Sequence, residues 1–298
     1  MEAFRIERDA VLATGPDAAT YLQGQLSQDL SSLAVGESVR ALLLEPTGKT
    51  VAWLRVTRLA GADVPYGETA DAEPAGTEPR GEAYLLDTDA GIGPAMTARL
   101  ERFKLRTKCD FRPLAWQCVA IRGDGATVDR FAGAAEVVAG APWPGIDGVD
   151  LWGPTVDVPD GATAADADRY EQLRVDAGVP VTGVDLAVDG IPNEGGRWLV
   201  DQSVSFTKGC YTGQELVARI DSRGGHVPRP IRLLDLASGD VAPGASVADA
   251  DGKVVGEVTS VAGEHALGVV GRAVEPGSAV TVEGSSGPVA ATVRSLPV

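Results

Sequence analysis

The chain is 298 residues long, 44% hydrophobic and 23% charged, with a formal net charge of −16. That length accommodates two or three domains with sizeable cores, and no apolar run of about 18 residues is present to cross a membrane as a helix. A whole-molecule field of this sign repels polyanions, so direct binding to nucleic-acid phosphates is not expected. The cysteines are Cys109, Cys118 and Cys210, without a Cys-x-x-Cys pair, and the histidines are His226 and His265. Such an inventory does not support a metal site within one chain. Residues 1–7 lack the basic and apolar regions of a secretory leader, so a reduced, cytoplasmic protein is the expectation.

Taken in order, residues 4–12 read as a strand, and Gly15-Pro16-Asp17 opens a helix with Asp17 as its N-cap. Leu22, Leu26, Leu30 and Leu33 form a stripe at helical spacing, with Gln25 and Asp29 stacked one turn apart on the polar side. Val39–Leu44 and Val51–Leu59 are strand-like and flank a hairpin turn at 45–49. Ala52, Leu54 and Val56 alternate with Trp53, Arg55 and Thr57, which indicates one buried face. Residues 61–82 are rich in Gly, Pro, Ala and acids without apolar periodicity, the composition of a mobile, dispensable extension. Ala83–Leu86 resumes the sheet, and Met96, Leu100 and Phe103 mark a helix.

Phe111–Ile121 and Val149–Val158 are strand-like, with a short helix at 128–132 between them. Thr163 caps a helix running to Ala177, and Gly178 terminates it in the left-handed region. Beyond Pro230, short β-rich segments separated by Gly and Pro turns suggest a small barrel or compact sandwich. Two basic islands, Arg99–Arg112 and Arg197–Arg232, stand out in the acidic chain. Each is either an ordinary solvated face or a site for a localised anion.

The most distinctive stretch is Lys208-Gly209-Cys210-Tyr211-Thr212-Gly213-Gln214-Glu215. Thr212 and Glu215 form a capping-box pattern, so a helix is expected from about Gly213, with Leu216, Val217 and Ile220 on its apolar side. Cys210 then lies just upstream of a helix N-terminus and two residues from Lys208, both of which favour a thiolate. The alternative is a small apolar core residue. Cys109 and Cys118, beside Phe111 and Val119, read as inert core thiols.

This octapeptide resembles the signature of the YgfZ-type folate-binding proteins, relatives of the glycine-cleavage T-protein (aminomethyltransferase). Residues 21–30, 100–106 and 173–180 are also similar to segments of that family. The resemblance implies an α+β, T-protein-like fold of interleaved ferredoxin-like units in residues 1–225, followed by a small C-terminal β-barrel in 230–298. It implies a tetrahydrofolate-binding protein, holding tetrahydrofolate or a one-carbon derivative, that supports assembly or repair of iron–sulfur clusters in client proteins, including tRNA-modifying enzymes. The alternatives are a folate-dependent aminomethyl transferase and a non-enzymatic, client-docking adaptor; turnover is left open. Cys210 would be the reactive thiol, and Gln25, Asp29, Arg174, Glu194, Lys208, Gly209, Tyr211, Gly213 and Gln214 the folate contacts. Arg174, near a helix C-terminus, is electrostatically satisfied there without a ligand. One departure is informative: the T-protein's Tyr-Thr-Gly-Glu segment has no counterpart in Pro142–Trp152, and T-proteins lack the signature cysteine, which favours the YgfZ-like branch.

Overall fold

The computed structural model describes residues 1–60 and 82–298; the expectation for 61–82 therefore lies outside the described residues, except that Glu82 begins a strand. One five-stranded sheet has the order β10 (Thr163–Ala164), β1 (Glu2–Ile6), β7 (Gln117–Arg122), β9 (Gly148–Gly153), β8 (Val137–Gly140). A second has the order β3 (Ser38–Leu44), β4 (Thr50–Leu59), β5 (Glu82–Asp89), β2 (Arg8–Gly15), β6 (Asp110–Leu114). The single strand expected over 4–12 is in fact two, broken at Glu7. The chain thus leaves the first sheet after β1, builds the whole second sheet, and returns at β7, which is the expected interleaving.

The second sheet carries α1 (Ala18–Gln25) and α2 (Gly93–Phe103), whose Leu22, Met96 and Leu100 pack with Ala52, Leu54 and Val56 of β4. The opposite face of β4 is also buried, contrary to the expectation of one buried face: Trp53 is 4% exposed, Arg55 2% and Thr57 0%. That burial is tolerated because Arg55 is fully ion-paired, as described below.

The leucine stripe is buried throughout, but the helix stops at Gln25 and not beyond Leu33. Leu26 is extended and bridges Leu43, and the Ser27 hydroxyl accepts from the Leu42 amide at 2.8 Å. Tertiary pairing with β3 therefore overrides the helical period, and Gln25 and Asp29 do not stack on one helix. Asp17 holds the N-cap position of α1 as expected, but its side chain does not cap the helix; the carboxylate accepts from the Lys108 amide at 2.8 Å. Likewise Thr163 lies in β10, and the helix near it, α3 (Ala167–Asp176), is capped by Asp166, which accepts from the Arg169 amide. Gly178 has φ 65°, as a helix terminator requires.

After α4 (Gly196–Ser203) and α5 (Gln214–Asp221), six strands close a barrel in the order β11, β14, β13, β12, β15, β16. They are β11 (Ile231–Leu236), β12 (Ser246–Ala248), β13 (Val254–Ala262), β14 (His265–Val270), β15 (Ala279–Gly284) and β16 (Gly287–Arg294). Val247, Val258, Val282 and Val293 fill its interior. Only the three-residue β12 escapes the sequence pattern, being too short to show alternation. Among the described residues, no helix is long and apolar enough to cross a membrane.

Candidate functional site

The signature lies in a seam against the end of α1. The Ser205 amide donates to the Ser27 carbonyl at 3.0 Å and the Thr212 amide to that of Gly24 at 3.1 Å. Lys208 Nζ donates to the carbonyls of Gln23, Leu26 and Gln28 at 2.7, 2.8 and 2.8 Å, so its ammonium satisfies the open end of α1. Burial pushes Lys208 down to about 8. Its charge is thus committed to these carbonyls, which corrects the expectation that it serves the Cys210 thiol.

The capping box does not form either. Gly213, at φ 84°, is the N-cap of α5, no side chain caps the helix, and the Thr212 hydroxyl turns to Gln25 Oε1 at 3.4 Å. A Cβ on Gly213 would lie 2.6 Å from the Glu45 carbonyl oxygen, and one on Gly48 2.4 Å from Leu216 Cβ. The two glycines let the 45–49 hairpin turn press directly on the start of α5. Tyr211 is buried in the core between α4 and the barrel, and its amide donates to Gln214 Oε1 at 3.2 Å. Each of these residues has a structural task; Gly209 and Cys210 remain exposed. Cys109 and Cys118 are buried as expected, and burial pushes the Cys109 thiol up to about 12.

A separate cavity of about 180 Å³ lies where the Glu7 crossing between the sheets meets β3, β4, β9 and α3. Its polar walls form a buried ion network. Asp87 accepts from Arg8 and Arg55 at 2.9 Å each, and Asp150 from Arg55 and Arg122 at 2.8 Å each. Arg8 also reaches Asp89 at 2.9 Å. Burial alone would raise Asp150, but Arg122, Arg55 and Arg8 outweigh it and hold this carboxyl well below the usual range.

Arg40 is the exception. It sits directly opposite Arg55 across β3 and β4, yet among the described residues it makes no hydrogen bond or ion pair. Its guanidinium rests 4.5 Å from the Trp53 ring centroid and 5.3 Å from that of Trp198. Burial, then repulsion from Arg55 and Arg8, pushes it down to about 9. Glu7 also lines the cavity with no partner among the described residues, and Trp143 and Tyr170 supply aromatic walls with ring centroids 5.2 Å apart. The cavity therefore offers an uncompensated cation, a free carboxylate and flat apolar faces.

Of the sequence-derived candidates, Arg174 alone lines this cavity. It is 3% exposed and bonded to Glu171, the Val179 carbonyl, Asp185 and Ser260, tying α3 to the barrel. Gln25, Asp29, Lys208, Gly209, Cys210, Tyr211, Gly213 and Gln214 gather at or beside the seam. There Gln25 accepts from Arg99 at 3.2 Å, and Asp29 accepts from Ser31 and Gln23, bonds that lower its pKa. Glu194 stands apart in the turn Pro192–Gly195, its carboxyl raised by burial. Glu7, Arg40, Trp143 and Tyr170 were not among the candidates. For Arg40 the turn alone would have misled: it pairs Leu44 with Thr50, numbers that sum to 94, and only a register shift between Leu43 and Leu44 brings the pairs to a sum of 95 and sets Arg40 opposite Arg55. Like charges there are unfavourable without anions between them.

Residues 228–294 match the family model described as the CAF17 C-terminal β-barrel domain. The chain is 29% identical over 290 residues to the human mitochondrial iron–sulfur cluster assembly factor IBA57, covering 90% of this chain and 76% of that protein. It is 29% identical over 227 residues to the tRNA-modifying protein YgfZ of Pectobacterium carotovorum, covering 72% of this chain and 65% of that one. Its fold is that of the glycine cleavage system aminomethyltransferase T from Bartonella henselae, with a TM-score of 0.75 at 21% identity over 99% of this chain and 85% of the other.

Proposed function

We propose that this chain, a YgfZ-type relative of the aminomethyltransferases, supports assembly or repair of iron–sulfur clusters in client enzymes and binds a reduced folate in the central cavity. The names of its relatives support the cluster reading. The observation that carries the folate reading is Arg40, an uncompensated guanidinium beside aromatic walls. A folate joins a flat heterocycle, whose amino edge donates hydrogen bonds, to an anionic glutamate. Arg40 would donate to the heterocycle's carbonyl oxygen, Glu7 would accept from its amino edge, and Trp143 and Tyr170 would cover the ring faces, with the anionic glutamate outside the cavity. At about 180 Å³ the cavity is smaller than the ~300–1,000 Å³ of ordinary ligand pockets, so it holds one end of such a ligand. The reduced folate would supply a one-carbon carrier. Asp150, within the segment where T-proteins carry their glutamate, is locked between Arg55 and Arg122, which speaks against aminomethyl transfer.

Cys210 would meet the client. Among the described residues no three His, Cys, Asp or Glu side chains are grouped to hold a metal, so a cluster reaching Cys210 as cargo would take its remaining ligands from the partner. Calorimetry with tetrahydrofolate tests the folate reading. Arg40→Gln is expected to weaken binding roughly tenfold, the equivalent of one charge-assisted hydrogen bond, while thermal stability is kept or raised because a half-buried unpaired cation is gone. No heat from the wild type at millimolar tetrahydrofolate would remove the folate reading.

A further inference from the structure

The central cavity and the signature seam meet at Trp53. Its ring lines the cavity, where Arg40 rests on it, and its indole edge turns to α4, where Nε1 donates to Ser203 Oγ at 2.8 Å. Ser203 ends α4, and the chain runs from it directly into the signature. The Ser203 carbonyl accepts from the Ser27 hydroxyl at 2.6 Å. Ser27 in turn accepts from the Leu42 amide on its hydroxyl at 2.8 Å and from the Ser205 amide on its carbonyl at 3.0 Å. Leu42 is the partner of Trp53 across β3 and β4, so these bonds close a circuit. Ser27 and Ser203 are both wholly buried. A buried hydroxyl is costly unless bonded, and alanine would fill either place without that demand; the pair instead ties β3, β4 and α4 into one unit.

The same helix touches the cavity cation a second time. Arg40 lies 5.3 Å from the ring centroid of Trp198 on α4, and the two indoles meet edge to face with centroids 5.9 Å apart. Arg40 and Trp53 line the cavity, whereas Trp198, Gly209 and Cys210 do not. A ligand that accepts a hydrogen bond from Arg40 therefore draws the guanidinium off Trp198 and toward the cavity, and the lost contact falls on the helix that ends in Ser203.

Resting on the folate reading of the central cavity, we propose that Ser203 is a positioning residue that couples occupancy of that cavity to the freedom of the Cys210 segment. With the cavity empty, Arg40 on the two indoles and Ser203 on the edge of Trp53 hold α4 and the residues after it against β3 and β4. A bound folate engages Arg40, shifts Trp53 and slackens that hold, so a client meets a pliable thiol segment once the cofactor is loaded. Coupling of this kind needs an element with two arrangements that the ligand distinguishes, and Arg40 supplies one, stacked on the indoles or turned to the ligand.

Iodoacetamide alkylation of Cys210 in the full chain, followed by mass spectrometry with and without saturating tetrahydrofolate kept reduced by ascorbate, tests this. Tetrahydrofolate should speed the reaction roughly fivefold or more, the low end of ordinary coupling between sites. Arg40→Gln should react at the faster rate without any ligand, an arm that does not depend on folate. Ser203→Ala should also start at the faster rate and respond no further to tetrahydrofolate, while calorimetry shows the ligand still bound. Thr88→Val removes an equally buried bond, from the Thr88 hydroxyl to the Trp53 carbonyl at 2.8 Å, and should keep the full response. If tetrahydrofolate binds the wild type and leaves the Cys210 rate unchanged, or if Ser203→Ala still responds, the coupling is overturned and the folate site stands. Loss of the response in Thr88→Val as well would reduce Ser203 to an ordinary core contact and overturn its role. If no tetrahydrofolate binds, the folate reading falls by itself, and an unchanged rate in ligand-free Arg40→Gln then overturns the coupling too.

Discussion

The signature seam and the central cavity solve opposite problems. In the seam, contiguous residues hold backbone to backbone: Lys208 ends α1, Gly213 admits the 45–49 turn, Gln214 braces the Tyr211 amide, and Cys210 is left exposed. In the cavity, side chains from β2, β3, β4, β5, β7 and β9 converge from distant points of the sequence, and buried carboxylates neutralise all but one of the strand arginines. A motif readable in the sequence can thus be mainly a scaffold for one residue, whereas a ligand-sized cavity can be built from positions that each look like ordinary strand alternation.

The contrast breaks most sharply at Asp150. Asp150→Asn leaves Arg122 and one arm of Arg55 without a counter-ion, and removing one partner of a buried pair costs about 3–5 kcal/mol. Urea denaturation should report that loss. The pH dependence has a fixed sign. Because the folded-state pKa of Asp150 is depressed, its contribution is complete well above the ordinary Asp value of about 3.9 and is lost as pH falls through the folded value. Asp150→Asn should therefore flatten the acid limb of the stability curve as well as lower it.

In the seam the largest effect should come from Lys208→Met, which strips three charge-assisted bonds from the carbonyls ending α1. A loss of about 1–3 kcal/mol is expected, below that for Asp150 because this ammonium is only half-buried. Hydrogen exchange should localise the loosening to residues 23–28 and 205–212. If Lys208→Met left stability unchanged, the reading of the signature as scaffold would lose its main support.

How much was legible follows the same division. The barrel strands were readable because alternation of apolar residues reports one buried face, as in Val289, Ala291 and Val293. The seam was readable as a motif but not in its geometry: a capping box and a lysine–thiol pairing were plausible locally, and both gave way to contacts with residues 23–28, which no local rule anticipates. Helix α1 ran too long on paper because its leucine period continues through a segment that β3 captures as a bridge. The cavity residues stayed hidden because charges such as Arg55 and Asp150 occupy strand positions where the pattern only says inward or outward, not which ion will answer them.

The smallest structural effect should fall on Cys210, and that is what makes it decisive. Cys210 is exposed and no core cluster includes it, so Cys210→Ala should change stability by no more than about 0.5 kcal/mol. In the native protein, alkylation followed by mass spectrometry should find Cys210 modified and Cys109 and Cys118 protected, the latter two reacting only after unfolding in urea, since burial raises both thiols. With a scaffold so little perturbed, a loss of client iron–sulfur enzyme activity in Cys210→Ala would be attributable to the thiol itself. Full client activity in that variant, alongside intact folding and folate binding, would reduce the signature to an architectural device and shift the functional weight to the central cavity.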